Sequence, residues 1–149
     1  MKRFEFSLQS ILELRIREED EAKAFLAAQE VQLQKLNLDF THKKQELQNF
    51  QEREKENRKT ADSVAELRYS VSWRNTLKID LLKMGQQLQD IALDIERARK
   101  KLTEATIKRK SLEMLHDKKK FQWQKEYNKN EQKFLDEIAQ SRQGGFKNT

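Results

Sequence analysis

Residues 77–105 read LKIDLLKMGQQLQDIALDIERARKKLTEA, and within them Leu77, Leu81, Met84, Leu88, Ile91, Ile95, Ala98, Leu102 and Ala105 recur at alternating spacings of four and three. These are the core positions of a heptad repeat, all apolar, and nearly everything between them is polar. A stripe this narrow leaves water only by packing on another helix. The chain contains no proline, so nothing in the sequence obliges that helix to break.

The composition agrees. Charged residues make up 38% of the 149 and apolar ones 36%, with only three glycines. Abundant Glu, Lys, Gln, Leu and Arg at a helical period reads as long helices or coiled coil, not as a domain with a rounded core. A two-helix pair buries one stripe of each helix and leaves the other side chains in water, which accounts for the mean hydropathy of -1.04. Cysteine is absent, which removes disulfides, thiolate metal sites and thiol nucleophiles, and fits a reducing compartment. No apolar run reaches the 18 or so residues that span a bilayer. The start, Met1-Lys2-Arg3-Phe4-Glu5-Phe6-Ser7, lacks the apolar core of a signal peptide, so the expected location is the cytoplasm.

A second register precedes the first. From Leu8 it runs through Leu12, Arg15, Glu19, Ala22, Leu26, Gln29, Leu33, Leu36, Phe40, Lys43, Leu47 and Phe50, then weakens through Glu54 and Asn57. Polar residues interrupt it about every second heptad, so it is the weaker of the two. Ser7 is placed to cap this helix. Residues 52–59 contain no apolar member, and Thr60-Ala61-Asp62-Ser63 follows them, which marks the chain reversal. Two restart signals compete: Ser63 with Glu66 forms an S-x-x-E capping box, and Ser70-Val71-Ser72 precedes Trp73. These signals place helix 1 at about 8–58, a connection at about 59–71 holding a short helical piece at 63–68, helix 2 at about 72–142, ended by Gly144-Gly145, and a disordered tail at 143–149. The fold expected is all-α: one antiparallel two-helix coiled coil, an α-helical hairpin, with a C-terminal helix overhang.

A turn near residue 65 sets residue i opposite roughly residue 130 minus i, so helix 2 overhangs after about Gln122. Some 70 helical residues span roughly 105 Å, the last ~30 Å without an intramolecular partner. Charge follows the same division. The net +6 separates into −1 for residues 1–62, +2 for 63–107 and +5 for 108–149. A basic helix end carrying Trp123, Tyr127 and Phe134 makes a docking surface; the plainer reading is a solvated face.

Chemistry finds little support. A two-helix pair offers no concave dry site, so the chain reads as a non-enzyme with no catalytic residue, cofactor or metal site. His42 and His116 do not meet in the antiparallel register and read as exposed or seam-edge histidines. The Glu18-Glu19-Asp20-Glu21 cluster has no metal-ligand spacing and reads as a solvated face. Gly85 stands alone and no glycine-rich phosphate loop is present. The pI near 9.5 raises nucleic-acid binding, but Glu113, Asp117, Glu126, Glu131, Asp136 and Glu137 interrupt the basic residues, so no nucleic-acid partner is expected. Trp73 lies outside the strict seam beside Leu77, and a two-helix pair cannot enclose an indole, so aromatic surface near the turn is a candidate protein-binding patch.

The residues then show a family likeness. Phe4-x-Phe6-x-Leu8-x-x-Ile11-Leu12 leads into a long charged helix; Lys110-Ser111-Leu112-Glu113-x-Leu115-x-Asp117-Lys118 follows, then Trp123 and Tyr127, then Glu131-Gln132-Lys133-x-Leu135-Asp136-Glu137-x-Ala139. This resembles the FliJ family of bacterial flagellar export proteins over essentially the whole chain. The resemblance implies a coiled coil similar to the stalk of a rotary ATPase gamma subunit, a monomer when isolated, without a membrane span, cytoplasmic and peripheral at the inner-membrane face of the flagellar type III export apparatus. It implies as partners the hexameric export ATPase, the cytoplasmic region of the membrane export gate, and export chaperones. On that likeness the gate would be met by Leu36, Phe40, Trp73, Leu77 and Met84, with Asp80 departing from the apolar stripe, and the ATPase ring by Lys118, Lys119, Lys120, Trp123, Tyr127 and Lys133. A stalk of a virulence-type secretion system and a homodimeric structural coiled coil are the alternatives.

Overall fold

A computed structural model describes residues 2–58 and 63–147, with side chains to Gly144. Two helices make up nearly all of it, α1 at Gln9–Asn57 and α2 at Val64–Lys147, and no strand occurs among the described residues. The helices pack on one another antiparallel, as the two registers require.

Two compact units divide the chain: Met1–Asp20 with Glu104–Thr149, and Glu21–Thr103. In the second unit the α2 seam is as read from the heptads. Leu77, Ile95 and Ala98 are buried, and Leu81, Met84, Leu88, Ile91 and Leu102 are half-buried. The α1 side follows its own register, with Ala22, Leu26, Gln29, Leu33, Leu36, Phe40, Lys43, Leu47 and Phe50 half-buried and Glu54 buried. In the first unit Leu12 and Glu19 are buried on α1, and Ala105, Arg109, Leu112 and His116 continue the α2 seam half-buried.

Three of the polar positions that weaken the α1 register, Glu19, Lys43 and Glu54, meet opposite charges on α2, whereas Arg15 pairs within α1 with Glu18 at 2.9 Å. In the second unit Glu54 accepts a hydrogen bond from Arg74 at 3.2 Å, and Lys43 lies 3.8 Å from Asp80. Arg99 and Glu30, 3.7 Å apart, are both well exposed and add little. In the first unit the Nε of Arg109 donates to Glu19 at 2.7 Å and its Nη1 to Glu113 at 2.6 Å. These hydrogen bonds, to Glu19 first and then Glu113, push the Arg109 guanidinium above its ordinary value. Because the folded value is raised, this contribution is fully present at every pH below the ordinary arginine range, so Arg109 itself confers no pH dependence near neutrality.

The helix boundaries depart from expectation in three places. α2 begins at Val64, not near Ser72, because the Ser63 capping box operates: the Ser63 Oγ accepts the Glu66 N–H at 3.2 Å and the Ser63 carbonyl accepts the Leu67 N–H. Nothing at Ser70-Val71-Ser72 breaks the helix; Ser72 keeps its carbonyl within it, accepting the Thr76 hydroxyl at 3.0 Å. The connection is shorter than 59–71 accordingly, and residues 59–62 lie outside those described. At the other end α2 runs through Gly144 and Gly145 to Lys147, so the expected tail is helical there; residues 148 and 149 lie outside those described. Glycine stops a helix by entering the left-handed region, and no glycine among the described residues has positive φ. α1 begins at Gln9, whose N–H bonds the Phe6 carbonyl at 3.1 Å, so the cap position falls on Leu8 rather than Ser7.

The capping bond makes a local prediction. Ser63→Ala removes the acceptor for the Glu66 N–H and costs about 1 kcal/mol, read as a lower urea midpoint at unchanged m-value.

Candidate binding surfaces

In the second unit the five residues assigned to the export gate do not form one stripe. Trp73 is 39% exposed, as expected of an indole outside the seam. Leu77, four residues on, is 0% exposed and belongs to the core, so a partner cannot touch it while the helices stay paired. Met84 is half-buried and lines a polar hollow with His42, Lys43, Glu46 and Asp80. Phe40 lines a separate groove with Leu81, Leu82 and Gly85. Met84 and Phe40 therefore open onto different hollows, and Leu36 lies half-buried at a seam position. The surface left on the Trp73 side is Trp73, the Lys43–Asp80 pair and Met84. Asp80, which departs from an apolar stripe, serves to hold Lys43 of α1.

The first unit assembles the other set. Lys118, Lys119, Lys120 and Lys133 are exposed on α2, and Trp123 and Tyr127 are half-buried. Their spacing of four brings the two rings onto one helix face, where they stack with centroids 5.4 Å apart and planes at 25°. Beyond Tyr127 every described side chain of α2 is exposed, Phe134 at 59% and Leu135 at 56% among them. Lys125 lays its ammonium 4.8 Å from the centre of the Phe121 ring. The overhang is thus aromatic, of mixed charge with the lysine run 118–120 at its base, and without a helix opposite it in its unit.

Two rings at this end make contacts that the sequence pattern does not show. Phe4 and Phe6, in the non-helical segment before α1, meet His116 edge-on at 5.4 and 5.1 Å, and Phe4 also tilts onto Trp123 at 6.1 Å. His116 is the seam-edge histidine expected, with Nδ1 3.1 Å from the Asp117 carboxylate. Counting the α2 register onward from Ala105 by fours and threes reaches Arg109, Leu112 and His116, then exposed Lys119, then Trp123. The two phenylalanines lack helical periodicity, so they carried no register of their own.

Among the described residues no three His, Cys, Asp or Glu side chains are grouped to hold a metal ion, and no helix is long and apolar enough to cross a membrane. What the arrangement offers is binding surface: an exposed indole flank in one unit and an aromatic helix end, with the lysine run at its base, in the other. A family model described as Flagellar FliJ protein matches residues 4–145. No curated protein and no solved structure matches the chain.

Proposed function

The chain belongs to the flagellar FliJ family, components of flagellar protein export rather than enzymes, and on that premise we propose that it is the stalk of the hexameric export ATPase. In this reading its C-terminal helix end enters the ring, the Trp73 flank meets the cytoplasmic region of the membrane export gate, and the chain escorts export chaperones. It works in the cytoplasm at the inner-membrane face, as a monomer when isolated.

The observation that carries the reading is the overhang. After Tyr127, α2 continues for some twenty residues with every described side chain exposed. A single helix enters a narrow central pore that a helix pair would not; Lys133 lies on it and Lys118, Lys119 and Lys120 stand at its base, charge to pair with an acidic lining. The unbroken runs of α1 and α2 support a coupling by geometry: changes in the ring driven by ATP would pass along packed helices to the gate-facing flank. No chemistry is asked of the chain itself.

Sedimentation velocity with circular dichroism tests this, first on the isolated protein and then with the cognate export ATPase and ATP. A highly helical 17.9 kDa monomer that joins an ATPase hexamer at a substoichiometric ratio is the expected result. A stable dimer indifferent to the ATPase would sink the reading.

A further inference from the structure

We propose that the segment Phe4–Phe6 is an autoinhibitory strap: it closes over the inner end of the α2 docking face and must be displaced for a partner to engage that face at full depth. The proposal rests on the ring-binding reading above and adds its regulation.

In the first unit the α2 seam passes from Ala105 through Arg109 and Leu112 to His116 and, past exposed Lys119, to Trp123, on which Tyr127 stacks one turn later. α1 as a helix starts only at Gln9. Where it ends, its role of covering the seam passes to non-helical backbone bearing two phenyl rings. Phe6 is buried at 8% exposure, and with Phe4 it closes on His116 at 5.1 and 5.4 Å. Phe4 reaches one position further and rests on Trp123 at 6.1 Å. Trp123 is in turn stacked on Tyr127, the pair from which the exposed face begins. The strap therefore occupies the indole that a helix-binding partner would meet as it advanced along α2.

Three aromatic contacts, with the single backbone bond from the Gln9 N–H to the Phe6 carbonyl behind them, make a closure that opens locally at modest cost. A partner that needs Trp123 bare binds only the open fraction, and its apparent affinity falls by that fraction. Removing the strap removes the competition.

The chain has two tryptophans, so Trp73→Phe leaves Trp123 as the sole emitter. In that background Phe4→Ala/Phe6→Ala should red-shift Trp123 emission and raise its quenching by acrylamide, with helicity retained by circular dichroism. Titration against the ATPase hexamer with ATP should then show the strap variant binding about tenfold more tightly than its parent. Phe4→Ala alone, which spares buried Phe6, should move both readouts in the same direction by less, and it stands in if the double variant unravels the start of α1. Unchanged emission would overturn the proposal, because the strap would not cover Trp123. Equal or weaker binding would overturn it too, making the strap a bystander or part of the docking surface. If neither chain binds the hexamer, the ring reading fails and autoinhibition with it; if the parent binds and the strap variant gains nothing, autoinhibition fails alone.

Discussion

Replacing Leu77 by alanine should lower the free energy of unfolding by about 2–5 kcal/mol, the range for a buried leucine whose cavity cannot fully collapse. Trp73→Ala, four residues earlier, should cost about 1 kcal/mol or less. The difference follows from position. Leu77 is wholly enclosed, and on α2 it stands three residues after Arg74, which pairs with Glu54, and three before Asp80, which pairs with Lys43. Those ion pairs hold the helices on either side of it, so relaxation into the gap is limited. Trp73 is 39% exposed and keeps much of its ring in water already. Urea titration of both variants by circular dichroism measures the contrast, and binding to the isolated cytoplasmic region of the export gate measures the rest. Trp73→Ala should weaken that binding at full helicity. For Leu77→Ala any loss of binding should track loss of folded protein and disappear at low temperature, where the hairpin remains formed. A stable Leu77→Ala that binds poorly would return Leu77 to the contact surface.

That contrast marks how far the sequence could be read. The heptad run from Leu77 to Ala105 is legible because an apolar residue at every core position leaves one face to bury; each of the nine is buried or half-buried. The α1 register is legible too, down to its polar members, since Arg15, Gln29 and Lys43 are half-buried and Glu19 and Glu54 buried where the spacing puts them. Their purpose was not. Arg15 or Glu19 alone reads as a fault in the seam, and only pairing across the hairpin shows Glu19 against Arg109 and Glu54 against Arg74. The two start signals of α2 could not be ranked from sequence, because a serine caps only where the chain is non-helical before it, and that depends on where the turn falls. On the binding surfaces, Trp73 was readable as exposed because it breaks register, whereas Leu77 keeps register and was assigned to a surface only by the family likeness. Phe4 and Phe6 precede any helical period, so their place against His116 and Trp123 required coordinates.

The second large effect concerns Arg109. Arg109→Leu should lower the thermal midpoint on the order of 10 °C, because it takes from the buried Glu19 carboxylate the cation that faces it across the seam. The double variant Glu19→Leu/Arg109→Leu should recover most or all of that loss, since a leucine pair at a seam position carries no charge to desolvate. The recovery comes at the expense of specificity. With leucines at 19 and 109 the first unit retains fewer features that penalise pairing displaced by a heptad or pairing with a second chain, and polar seam positions are the device by which coiled coils reject such alternatives. The natural absence of cysteine makes this measurable. Single cysteines introduced on exposed positions of each helix in the first unit should cross-link at one register in the parent, and at more than one, or between chains, in the double-leucine variant. The charge-reversed pair Glu19→Arg/Arg109→Glu separates the two roles. It should restore the single cross-link pattern only in part, because Glu113, which also accepts from Arg109 at 2.6 Å, would then face a carboxylate at its own i−4 position. If the double-leucine chain keeps one register and stays monomeric, Glu19 and Arg109 add nothing to specificity. The hairpin would then be set by its short connection and its apolar positions alone.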